Sequence, residues 1–161
     1  MSDAPGAGGA QTSGTPQFER GTDGPRVIVA GLDGSPTAHR AVAYAAGLAR
    51  RQRARLVVVH VATTPAAAML APSRPWPVEE TLSEIAEELR REVVDGAAER
   101  GIAVEFVARR GDAYTELTRV ACDLLADAVI VGASASAGHR IMGSLAVRLV
   151  RCGRWPVTVV P

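Results

Sequence analysis

Arg26-Val27-Ile28-Val29-Ala30-Gly31-Leu32-Asp33-Gly34-Ser35-Pro36 is the stretch whose reading decides the fold. Its first half is a near-continuous apolar run, the pattern of a parallel strand covered on both faces. Ser35 suits the N-cap of a following helix, and Pro36 suits the first helical position, where a missing N–H costs nothing. A buried strand that passes through Asp-Gly-Ser into a helix starts a β-α-β unit, and such units build parallel sheets.

The same alternation continues towards the C-terminus. A helix is predicted over 37–52 on Val42, Ala45, Ala46 and Ala49, with Arg50, Arg51 and Arg53 against the negative end of its dipole. Those arginines also permit a nucleic-acid patch, the less economical reading. A second buried strand, Leu56-Val-Val-Val-His60-Val61, carries a histidine that reads as a satisfied interior group. The connection 62–77 contains Pro65, Pro72, Pro75 and Pro77, and is read either as a lid or as a passive linker.

The clearest helix is 78–100, with Leu82, Ile85, Ala86, Leu89, Val93 and Ala97 on one face and Gly101 as its αL stop. A third strand follows over 102–108, then a helix over 112–126 with Leu117, Val120, Ala121 and Leu124 inward. The fourth strand is 127–132, the last helix 144–152 and the fifth strand 155–160. The expected fold class is therefore α/β, a five-stranded parallel sheet with helices on both faces. Right-handed crossovers leave few topologies, and the commonest reverse the strand order beside strand 1.

Composition narrows the function classes. At 161 residues the chain is long enough for one domain with a proper core. Residues 1–25 are Gly-, Ser-, Thr-, Pro- and Ala-rich and read as a disordered tail before a domain over 26–161. A net charge of +1 gives no general attraction to nucleic acid or to an acidic membrane. All 18 basic residues are Arg, so a Walker-type lysine and a Schiff base are excluded. Cys122 and Cys152 form no Cys-x-x-Cys pair and read as small buried thiols. No signal peptide and no membrane span are evident, which makes the cytoplasm the expected location.

Ligands of open parallel sheets bind outside the carboxyl ends of the strands, where the order reverses. With strands 1 and 4 as neighbours, Asp33 and Gly132 stand on opposite lips of one crevice. The loop Gly132-Ala-Ser-Ala-Ser-Ala-Gly-His-Arg-Ile-Met-Gly-Ser144 is rich in small residues that let backbone amides approach a ligand. Gly143 and Ser144 open a helix whose N–H groups and dipole favour an anion. Ser144 reads equally as a phosphate ligand or as the cap of its own helix. Asp33 reads as a ligand contact or as a turn residue. Arg140 and His139 read as phosphate-facing or as solvent-exposed side chains.

Three stretches carry a family resemblance: Val27 to Ser35, Val57 to Val61, and the block from Asp127 to Val160 with Gly143-Ser-Leu-Ala-Val-Arg148 and Trp155-Pro-Val-Thr-Val-Val160. Together they resemble a universal stress protein over essentially residues 26–161. The resemblance implies strand order 3-2-1-4-5, an adenine nucleotide alpha hydrolase-like fold. The nucleotide-binding branch of that family carries Gly-x2-Gly-x9-Gly-Ser/Thr after strand 4. Gly132, Gly143 and Ser144 fit its ends, whereas Ala135 stands at the second glycine and the loop is two residues shorter, with Gly138 as a substitute. The resemblance implies Asp33 at the adenine–ribose end, Val61 against the base, and Gly132, Gly138, Gly143 and Ser144 at the phosphates, with Arg140 as an extra ligand.

The expected ligand is an adenine nucleotide, ATP with Mg2+, bound by a regulatory protein. The alternative is a member of the same family that binds no nucleotide and acts through dimerisation and protein contacts. No paired carboxylates, nucleophile elbow or His/Cys cluster supports an efficient enzyme, leaving slow ATP hydrolysis at most. No nucleic-acid or membrane partner is expected. The last strand is an edge, and Val157, Val159 and an exposed Trp155 favour a homodimer through residues 156–160.

Overall fold

The computed structural model describes residues 24–63, 78–133 and 143–161. Its strands are β1 (Val27–Leu32), β2 (Arg55–Ala62), β3 (Val104–Arg110), β4 (Ala128–Gly132) and β5 (Val157–Val160). Its described helices are α1 (Pro36–Gln52), α2 (Val78–Ala98), α3 (Ala113–Asp123) and α4 (Ser144–Cys152). Every strand pairing is parallel and the order is β3-β2-β1-β4-β5, so the reversal falls between β1 and β4 as expected. One carboxylate fixes that pair. Asp127 Oδ2 accepts the amides of both Arg26 and Val27 at 2.8 Å, while the Asp127 amide donates to the Val27 carbonyl.

Side chains of the central strands alternate between two buried layers. Ile28, Leu56, Val58 and Ile130 meet α1 and α2 on one face. Val29, Val57, Val129 and Val131 meet α3 and α4 on the other. Helix α1 rests on the sheet through Ala38, Ala41, Ala45 and Ala49, all buried at helical spacing. A face without side-chain atoms beyond Cβ brings the helix backbone close to the strands. Val42 and Ala46, expected at the centre of that face, pack at its margin.

Several element ends differ from the sequence expectation, each for a local reason. Strand β3 starts at Val104 because the Ile102 amide donates to the Ala97 carbonyl and closes the end of α2. Gly101, at φ +63°, makes the turn there. Helix α3 stops at Asp123 because Leu125 adopts a left-handed conformation and the Ala126 amide returns to Ala121. Strand β5 starts at Val157 because Pro156 has no N–H to give the ladder.

Four side-chain expectations are corrected or refined. Ile85 is 43% exposed, so the buried edge of α2 is carried by Leu89, Val93 and Ala97. Trp155 is half-buried against the α3/α4 layer rather than exposed. Cys122 and Cys152 are also half-buried, with the Arg154 guanidinium donating to Cys122 Sγ at 2.9 Å. His60 is buried, and its Nδ1–H donates to the Leu32 carbonyl at 2.9 Å, the satisfied interior histidine expected. Among the described residues no helix is long and apolar enough to cross a membrane.

His39 joins α1 to α2. Its Nδ1 donates to the Ser35 carbonyl at 2.8 Å and its Nε2 lies 3.2 Å from Glu92 Oε2. The Ser35 carbonyl contributes most to raising the imidazole above its usual 6.5; burial opposes it, and the Glu92 carboxylate, with Asp33 farther off, adds to the rise. A raised value contributes stability that is complete below the unfolded-state value and lost as the pH rises through the folded-state one. Thermal melts of wild type and His39→Gln from about pH 5.5 to about pH 8.5 should show the gap in Tm largest at the acid end and closing upwards. A gap independent of pH would contradict this assignment.

Candidate functional site

A cleft opens at the carboxyl ends of β1 and β4, on the α3/α4 side of the sheet. Asp33, Val61 and Gly132, three residues singled out from the sequence, all line it. Around them stand Ser35 and Ala38 from the start of α1, Ala113 and Leu117 from α3, and Leu145 from α4. Gly143 and Ser144 sit immediately before Leu145, at the start of α4. Gly138 and Arg140, together with His139 and Ala135, lie outside the described residues, as do residues 1–23 and 64–77.

Each functional position follows from a local constraint. Gly34 takes φ +82°, a conformation that favours glycine, so that the chain can turn out of β1. The Asp33 carboxylate supports this turn by accepting the Ser35 amide at 2.9 Å through Oδ1. Ser35 then caps α1, its hydroxyl accepting the Ala38 amide at 3.2 Å, and Pro36 opens the helix. The turn reading of Asp33 is thus correct, and the same carboxylate remains exposed on the cleft wall.

Gly132 has a role that spacing alone does not reveal. A Cβ there would lie 2.6 Å from both the Ala38 nitrogen and the Thr37 carbonyl carbon. The first turn of α1 therefore sits directly on the end of β4, and only glycine permits this. At α4 the N-cap is Gly143, with no side-chain capping bond, and Ser144 is the first helical residue. Ser144 is exposed and does not cap its own helix, so the capping alternative for its hydroxyl falls away. The first amides of α4 have no intrahelical acceptor by construction.

The α3 wall was not anticipated as part of the site. Asp112 caps α3, accepting the Thr115 amide at 2.9 Å and the Thr115 hydroxyl at 2.7 Å. Arg148 reaches across from α4 to the same carboxylate, at 3.2 and 3.3 Å, and its guanidinium lies 4.1 Å from the centre of the Tyr114 ring. The Thr115 donors, with Arg148 beside them, hold the Asp112 carboxyl down at about 2. The signal for this wall was Gly111-Asp112, a turn and a cap at the carboxyl end of a strand, where every loop of this fold borders the site. Leu117, an inward residue of α3 by spacing, is both core and cleft wall.

Among the described residues, no group of three His, Cys, Asp or Glu side chains is placed to hold a metal ion. Among the described residues the cleft offers apolar walls from Val59, Val61 and Leu117, one exposed carboxylate and the starts of three helices, groups suited to holding a ligand.

Removing the close approach tests the geometry. Gly132→Ala should destabilise the chain by about 1–3 kcal/mol through overpacking, measured by denaturant unfolding. An unchanged midpoint would mean that the first turn of α1 yields freely.

The model of the Universal stress protein family matches residues 25–161. A universal stress protein from Burkholderia pseudomallei is similar in structure, with TM-score 0.67 and 28% identity over 84% of this chain and 96% of that one. A universal stress protein solved in complex with cAMP has TM-score 0.66 and 23% identity, over 85% of this chain and 97% of that one. A family protein from Arabidopsis thaliana solved with AMP bound has TM-score 0.59 and 16% identity, over 84% and 91%. No curated protein sequence matches the chain at a significant level.

Proposed function

We propose that this chain, which belongs to the universal stress protein family, is a regulatory protein that binds an adenine nucleotide in the β1/β4 cleft. The observation that carries the reading is the convergence of Asp33, Val61, Gly132 and the starts of α1, α3 and α4 on one cleft at the reversal of strand order. Val61 and Val59 supply an apolar wall for the base. Asp33 accepts a ribose hydroxyl through the oxygen not engaged by Ser35. The amides at Gly143 and Ser144, with the uncommitted Ser144 hydroxyl, take phosphate oxygens at the positive end of α4. Gly138 and Arg140 add donors from the connection between β4 and α4. The solved relatives that hold cAMP and AMP support an adenine nucleotide as the class of ligand. ATP, arriving with Mg2+, is the first member of that class to test, and the Mg2+ belongs with the triphosphate.

One observation favours a second reading, in which the chain binds no nucleotide and works through protein contacts. Ala135 replaces the second glycine of the motif and the connection is two residues short. Thermal stability with adenosine, AMP, cAMP and Mg-ATP separates the two. A ligand at one hundred times its Kd adds about 2.7 kcal/mol, or roughly 5–10 °C in a domain of this size. Flat melts with all four, and no nucleotide released from denatured protein, would leave the second reading standing.

Either reading includes a homodimer through β5. Helices on both faces of the sheet carry exposed apolar groups. Tyr44, 45% exposed, lies one turn along α1 from Arg40, whose Nε donates to the Pro161 carbonyl. Val150, 48% exposed, lies on the flank of α4 turned away from α3. Wild type should sediment as a dimer, and Tyr44→Glu combined with Val150→Glu as a folded monomer. A monomeric wild type, or a dimer that survives both charges, would exclude this interface.

A further inference from the structure

We propose that Arg148 is a positioning residue for the cleft: by clasping Asp112 it holds the first turn of α4 at a fixed place against the start of α3. Arg148 follows Ser144 by four residues and Leu145 by three, so all three share one flank of α4. Its two terminal nitrogens grip the two Asp112 oxygens, at 3.2 and 3.3 Å, in the forked geometry that lysine cannot reproduce.

An exposed ion pair ordinarily contributes little, because two long side chains must be ordered to make it. Here both partners are already held. Thr115 fixes the Asp112 carboxylate with its amide and hydroxyl, and the Tyr114 ring lies beneath the guanidinium. The α3 end of the clasp is also anchored to the sheet, because the Gly111 amide donates to the Ala62 carbonyl at 3.2 Å. Among the described residues the start of α4 makes no comparable hydrogen bond to the sheet, and Gly143 brings no side chain to cap it. Arg148 therefore transfers the rigidity of the β3–α3 turn to the helix start that borders the cleft at Leu145. The Thr115 donors and Arg148 keep the Asp112 carboxyl charged well below neutral pH.

The choice of ligand in the test rests on the nucleotide reading above; the clasp does not. Affinities for Mg-ATP and adenosine should be measured by calorimetry on the full chain, for wild type, Arg148→Lys and Arg148→Ala. Arg148→Ala should weaken Mg-ATP roughly fivefold or more while leaving adenosine within about twofold, with Arg148→Lys between. Equal weakening of both ligands, or of neither, would overturn a positioning role. Amide exchange supplies an arm that needs no ligand. In Arg148→Ala the hydrogen-bonded amides of the first turn of α4, from Val147 to Leu149, should exchange faster while those of α1 keep their protection. Unchanged exchange from Val147 to Leu149 would overturn the clasp even if nucleotide binds. A wild type that binds neither ligand would overturn the nucleotide reading alone, and the exchange arm would still decide the clasp.

Discussion

The contact between Gly132 and the first turn of α1 is the constraint on which the rest of the structure depends. With the last residue of β4 lacking a side chain, the backbone of Thr37 and Ala38 comes down onto the strand end. That placement sets the height at which α1 crosses the sheet, and the alanines along its buried face keep the same height for three further turns. It also decides where Ser35 stands, and with it the direction in which Asp33 leaves β1. A side chain at position 132 would lift the helix and fill the floor of the cleft at once.

The polar groups around the cleft divide by what they already do. Asp33 and Asp112 each give carboxylate oxygen to a backbone amide two or three residues ahead, at a turn and at a helix cap. Helices α1 and α3 are thereby satisfied at their starts by serine and aspartate. Helix α4 begins with glycine and has no such internal acceptor. Among the described residues it is the one helix start around the cleft whose amides meet no side-chain cap. Under the proposed nucleotide reading, this asymmetry would make α4 the phosphate end without any lysine, in a chain whose cations are all arginine.

Much of this was legible in the sequence, because the period of the apolar residues and the turn chemistry agreed. Uninterrupted Val and Ile runs announced buried parallel strands, and Ser35-Pro36 announced where α1 begins. The boundaries that slipped depend on which backbone groups are already committed elsewhere. Ile102 looks like strand by composition but closes a helix, and Leu125 is a left-handed residue that carries no sequence signal. At the site, Asp33, Val61 and Gly132 were found by fold logic and resemblance together, and the structure brings them to one cleft. Two facts were hidden from one-dimensional reading. Gly132 is required by a helix a hundred residues earlier in the chain, and Arg148 meets a carboxylate thirty-six residues away. Contacts across such separations leave no local pattern to read.

The two edges of the sheet are not alike. Strand β3 presents Glu105, Ala108, Arg109 and Arg110 to solvent, with Glu105 paired to Arg55 on the neighbouring strand. Strand β5 is short and uncharged. Charge along an edge discourages another chain from extending the ladder there. A molecule with two adhesive edges would add copies end to end without limit, whereas one adhesive edge is used up by a single twofold-related copy. Under the proposed dimer through β5, the difference between these strands would close the assembly at two.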